Sequence, residues 1–144
     1  RGPRRYVVPG HHMTGDDPVL FVDDEKNQLR LMQAYLVSVG YRVLVAQDGL
    51  EAVETFLKHK GDISAVILDV GLPKMSGWEA FQQMRNADPS LKPILVSGYI
   101  SPEIDAAMAR GELSAVLLKP YKLEDIMSAI VSASGGSKIP QHLR

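Results

Sequence analysis

The sequence predicts an α/β fold, a doubly wound, five-stranded parallel sheet with helices on both faces. Three observations carry that expectation. Five short apolar runs recur between residues 19 and 118. Each run is continuous rather than alternating, as in strands buried on both faces. Between the runs the apolar spacing changes to about 3.6 residues, the period of a helix packed along one side. Strands that alternate with helices imply right-handed crossovers and parallel order.

The elements follow in order. VLFV at 19–22 is the first strand, and Leu29, Met32, Leu36 and Val39 line one face of the first helix, which Gly40 stops. YRVLV at 41–45 is the second strand. Asp48 with Glu51 is a D-x-x-E capping signature opening the second helix, whose inner face is Val53, Phe56 and Leu57. AVILDV at 65–70 is the third strand. Leu72, Pro73, Met75 and Gly77 shape the loop after it, with Gly77 near the start of the third helix and Trp78 read as a packing residue. PILVS at 93–97 is the fourth strand, and Ser101 followed by Pro102 reads as N-cap and N1 of the fourth helix. AVLL at 115–118 is the fifth strand, and Leu123, Ile126, Met127 and Ile130 give the fifth helix its inner face.

Composition bounds the function. The chain has 144 residues, 45% of them apolar, which suits one domain able to bury a core without disulfide or metal. The absence of Cys excludes a disulfide scaffold, a zinc ribbon and a thiol nucleophile, and points to the cytoplasm. No apolar run approaches the ~20 residues of a membrane span. Residues 1–12, RGPRRYVVPGHH, are basic and read as a vector-derived or disordered lead. Without their three Arg, 13 basic residues face 17 acidic ones, a net charge of −4 that argues against docking on nucleic acid. The domain is expected over 13–134, with 135–144 a flexible tail or linker start.

In an open parallel sheet, ligands bind beyond the carboxyl ends of the strands. There the chain carries Asp23 and Asp24 after the first strand, Asp69 at the end of the third, Ser97 at the end of the fourth and Lys119 after the fifth. If the first and third strands are neighbours, about 4.8 Å apart, the three acids converge on one point. Like charges so close disfavour joint ionisation unless a cation joins them, and Mg²⁺ takes such oxygen ligands. Asp69 is then a candidate nucleophile toward phosphorus, with Lys119 and Ser97 placed to hold phosphoryl oxygens. Singly, each residue has a plainer reading: Asp23 and Asp24 as caps of the first helix, Ser97 as a strand-end hydroxyl, Lys119 as a solvated lysine.

Together, VLFVDD, VILDVGLPKMSGWE, ILVSGY and LLKPY resemble the receiver domain of two-component response regulators and hybrid sensor kinases, over about Val19 to Ala133. The resemblance implies a flavodoxin-like sheet of order 2-1-3-4-5. It implies that Asp69 accepts a phosphoryl group from a phosphohistidine on a partner histidine kinase or phosphotransfer protein. It further implies that Asp23, Asp24, Asp69 and the backbone carbonyl of Gly71 hold Mg²⁺, and that Ser97 and Lys119 contact the phosphoryl group and form the switch; a homodimer through the fourth helix, fifth strand and fifth helix is left open. The sequence departs from the family at Val116, where many members carry an aromatic switch residue; Tyr99 is a substitute candidate, and Gly98 loosens the loop that holds it.

Other classes fit less well. A haloacid-dehalogenase-like phosphatase needs a second Asp two residues after the nucleophile, where this chain has Gly71. No G-x-x-x-x-G-K-[ST] or G-x-G-x-x-G follows the first strand, which disfavours nucleotide binding, and the acids there disfavour a flavodoxin. A docking module of the same fold would have no use for all five site residues.

Overall fold

A computed structural model of the chain describes residues 17–133; the basic lead and the tail expected at either end lie outside these. Five strands, β1 (Val19–Val22), β2 (Val43–Ala46), β3 (Ala65–Asp69), β4 (Ile94–Ser97) and β5 (Ala115–Leu118), alternate with five helices, α1 (Lys26–Ser38), α2 (Gly49–Lys58), α3 (Gly77–Ala87), α4 (Pro102–Ala109) and α5 (Leu123–Ala133). The sheet is parallel throughout, in the order β2-β1-β3-β4-β5.

Successive strand residues point to opposite faces, which splits the core in two. Leu20, Val22, Val66, Leu68 and Leu95 pack with Phe56 of α2, Phe81 and Met84 of α3 and Ile104 of α4. Val19, Phe21, Ile67, Ile94 and Val96 pack on the other face with Leu29, Met32 and Leu36 of α1 and Ile126 and Ile130 of α5. Each such side chain contributes roughly 1.5–3 kcal/mol when fully buried.

The start signals operate as the sequence implies. The Asp48 carboxylate accepts the Glu51 N–H at 2.8 Å, while the Glu51 carboxylate reaches back to the Gln47 N–H. Ser101 caps α4 by accepting the Ile104 N–H at 3.2 Å, and Pro102 follows as the first helical residue. At α1 the cap is Glu25, which accepts the Gln28 N–H at 2.9 Å, so neither Asp23 nor Asp24 fills that role.

Three expected packing positions differ. Val39 is the C-cap of α1, outside the helical stripe. Leu57 is 47% exposed, because Val53 and Phe56 occupy the inner arc and the next residue turns outward. The second strand begins at Val43 rather than Tyr41 and is only partly buried, as befits a sheet edge.

The register has the main consequence for function. Val22 of β1 pairs with Leu68 of β3, so the next residues, Asp23 and Asp69, emerge side by side. Asp69 pairs with Val96 and Ser97 with Leu118, which sets Ser97 and then Lys119 along the same rim.

Candidate functional site

Among the described residues, the buried polar or charged side chains are Asp23, Asp69 and Ser97, all on this rim. A carboxyl buried in this way needs a partner. Asp69, 2% exposed, has one for each oxygen: Oδ1 accepts the Gly71 N–H at 2.9 Å, and Oδ2 faces the Lys119 ammonium at 2.7 Å. Asp23 accepts the Glu25 N–H at 2.9 Å, while Asp24 is exposed. One carboxylate oxygen each of Asp23, Asp24 and Asp69 lies within 4.8 Å of the others.

Three carboxylates around one lysine leave an excess of negative charge, and the proton affinities reflect it. Burial, aided by the neighbouring charges of Asp69 and Asp24, raises the Asp23 pKa despite the Glu25 N–H and Lys119, which pull it down. For Lys119, burial works against the charge, yet the hydrogen bond and attraction to Asp69, with Asp23 and Asp24 behind it, raise its pKa. A divalent cation would relieve the repulsion, and an all-oxygen donor set suits a hard ion such as Mg²⁺.

Two glycines fix the loop between β3 and α3. A Cβ on Gly77 would stand 2.0 Å from the Asp69 carbonyl oxygen, and one on Gly49 at the start of α2 would stand 2.0 Å from the Met75 carbonyl oxygen. The loop is thus seated against both helix starts. Lys74 takes a left-handed conformation at φ 66° and its ammonium lies 3.5 Å from the Asp48 carboxylate.

Of the remaining expected residues, Gly71 touches this cluster, while Ser97, Tyr99 and Val116 make their contacts elsewhere. The Ser97 hydroxyl donates to the Tyr99 carbonyl at 2.6 Å and accepts the Tyr99 N–H at 3.3 Å, so it faces its own loop. Tyr99 is 70% exposed. Gly71 contributes its N–H to Asp69. Val116 is partly buried against the core layer of α2, α3 and α4. Trp78 packs edge-on against Phe81, with centroids 5.4 Å apart.

Sequence reasoning missed Gln28 as a site residue. It lines an open groove of about 610 Å³ together with Asp23, Asp24, Glu25, Lys119, Pro120 and Tyr121, and its amide donates to the Tyr121 hydroxyl at 2.7 Å. The available signal was a polar residue four positions after Asp24, one helical turn above the acids.

Residues 19–131 match the family described as the response regulator receiver domain. The chain is 28% identical over 117 residues to sporulation initiation phosphotransferase F of Bacillus subtilis, covering 80% of this chain and 91% of that protein. It is 32% identical over 124 residues to the autoinducer 1 sensor kinase/phosphatase LuxN of Vibrio harveyi, covering 85% of this chain but 14% of that protein. With the transcriptional regulatory protein ZraR of Klebsiella oxytoca the chain likewise spans only 29% of the relative's length. Among solved structures, a receiver domain protein from Clostridium thermocellum superposes with a TM-score of 0.73 at 27% identity, covering 84% of this chain and 96% of that one. The response regulator TrrA of Thermotoga maritima, in complex with Mg(2+)-BeF, gives 0.68 at 26% identity, covering 81% and 98%. No helix among the described residues is long and apolar enough to cross a membrane.

Proposed function

The chain belongs to the response regulator receiver family of two-component signalling, and on that premise we propose that Asp69 is its phosphoacceptor, charged by a phosphohistidine on a histidine kinase or histidine phosphotransfer protein. One observation carries the reading. A nearly inaccessible carboxylate at a strand end is paired with a lysine at 2.7 Å and has two further carboxylates within 4.8 Å. In the transfer, an Asp69 carboxylate oxygen forms a bond to phosphorus while the P–N bond to the imidazole breaks, its electron pair staying on the ring nitrogen. Asp23, Asp24, Asp69 and the Gly71 carbonyl would hold Mg²⁺, which would supply neutralising charge for the phosphoryl oxygens.

The chain's own groups do the rest. The Gly71 N–H and the Lys119 ammonium orient the Asp69 carboxylate before transfer. Once Asp69 is an acyl phosphate its carboxylate charge is gone and the negative charge sits on the phosphoryl oxygens, to which Lys119 turns. Ser97 contributes its hydroxyl only by giving up the Tyr99 carbonyl, so the loop carrying Tyr99 shifts when the phosphoryl group is present. With Val116 in place of an aromatic, that exchange among Ser97, Tyr99 and Lys119 is the switch. Exposed Met108 on α4 and Leu118 on β5 support a homodimer through α4, β5 and α5. The lack of Cys accords with a cytoplasmic setting.

The test is intact-protein mass after incubation with acetyl phosphate or phosphoramidate and Mg²⁺, beside Asp69→Asn and an EDTA control. A gain of one phosphoryl mass needing both Asp69 and Mg²⁺ is expected. No adduct, with a cognate donor and fast quenching as well, would leave an unphosphorylated docking domain as the reading.

A further inference from the structure

Lys119 is a long, flexible side chain, 43% exposed, projecting from the end of an edge strand whose last residue, Leu118, is itself 48% exposed. Its ammonium nevertheless lies 2.7 Å from Asp69. Placement of that kind depends on where the backbone of Lys119 is held. Upstream, the Lys119 N–H donates to the Ser97 carbonyl at 2.9 Å. Downstream, only Pro120, whose ring fixes φ, separates Lys119 from Tyr121. The Tyr121 ring packs partly buried in the α1–α5 layer, and its hydroxyl accepts the Gln28 amide at 2.7 Å. Gln28 is followed by Leu29, and α1 is seated on the sheet through Leu29, Met32 and Leu36. The bond therefore runs from a helix seated on the sheet to the loop that carries the lysine.

Resting on the phosphoacceptor reading above, we propose that Tyr121 is a positioning residue for Lys119, tied through its hydroxyl to Gln28 so that the lysine reaches Asp69 and the phosphoryl group. The bond holds the β5–α5 loop against α1, so the two walls of the groove are joined beside the acids. The hydroxyl does not touch the reacting atoms. It acts through the lysine, and so affects the transfer step and not the affinity for metal or donor.

The experiment measures the rate of phosphoryl gain from acetyl phosphate at varied donor and Mg²⁺ concentrations. The variants are Tyr121→Phe, which keeps the ring, Gln28→Met, which keeps the length, and the two combined. Each single change should lower the maximal rate about fivefold, the weight of one hydrogen bond. The half-saturating donor and Mg²⁺ concentrations should stay those of the wild type, and the double variant should be no slower than either single one. In a Lys119→Ala background, followed over long incubation, Tyr121→Phe should have no further effect. Unchanged maximal rates, effects that multiply in the double variant, or an equal loss without Lys119 would overturn the proposal while leaving the phosphoacceptor intact. A wild-type chain that gains no phosphoryl mass would instead remove the reading on which it rests.

Discussion

Gly77→Ala sets two physical effects against each other, and the structure decides the sign. Gly77 is the first residue of α3, where alanine's intrinsic preference alone would stabilise the helix by up to about 1 kcal/mol. The added Cβ would, however, meet the Asp69 carbonyl oxygen at 2.0 Å, the Val70 Cα at 2.6 Å and the Asp69 carbonyl carbon at 2.7 Å, where ordinary contact begins at 3.4 Å. All three are backbone atoms, so relief requires moving the chain by more than an ångström at the residue that bears the site carboxylate. Overpacking of this kind costs about 1–3 kcal/mol, and with backbone on every side the upper end applies. The net loss is then about 2 kcal/mol from a total of about 5–15. In urea, with a slope of about 2 kcal/mol per molar for a domain of this size, the midpoint should fall by roughly 1 M. A carboxylate displaced by this much should also slow phosphorylation by about a hundredfold. Gly71→Ala is the control, since its Cβ would meet only Asp69 Oδ1, at 3.8 Å. A Gly77→Ala midpoint equal to or above that of the wild type would refute the reasoning.

Mg²⁺ at a hundred times its dissociation constant should raise the unfolding free energy by about 2.7 kcal/mol, and Asp24→Asn should shrink the gain; thermal melts with and without the ion would show it, and a melting temperature indifferent to Mg²⁺ would count against the metal site. Asp23→Asn should stabilise the metal-free protein at neutral pH. A carboxyl whose folded pKa is raised holds its proton more tightly when folded, so its ionisation costs stability as pH rises above the usual carboxylate range; the gain should therefore vanish in melts at acid pH, and a gain of equal size there would contradict the sign. Ser101→Ala removes the cap of α4 and should cost about 1 kcal/mol in denaturant titrations; no loss would mean that Pro102 alone suffices to start the helix.

Much of this was legible in the chain because the signals are local. The five apolar runs became strands, and the caps at Asp48 and Ser101 act through neighbours three residues away. The rim itself followed from strand ends, since parallel order alone aligns Asp23, Asp69, Ser97 and Lys119. Long-range pairings were not legible. Lys119 reaches Asp69 across 50 positions and Gln28 reaches Tyr121 across 93, and spacing carries no information about either. Leu57 failed for a smaller reason, a difference of one residue in helical phase beside Phe56, which short helices specify weakly. The turn of the Ser97 hydroxyl toward Tyr99 depended on loop geometry that the sequence does not encode in any periodic form.

The seating of the β3–α3 loop has a consequence for the direction in which a signal leaves the site. On one side, Gly49 and Gly77 leave no room: the loop is braced by backbone on backbone, and a push there meets an unyielding wall. On the other side, a Cβ on Gly98 would touch nothing within 4 Å, and Tyr99 and Ile100 stand in solvent. Under the phosphoacceptor reading proposed above, a group added at Asp69 would therefore find room for the chain to give on the Gly98 side, toward β4 and α4, and none on the Gly77 side.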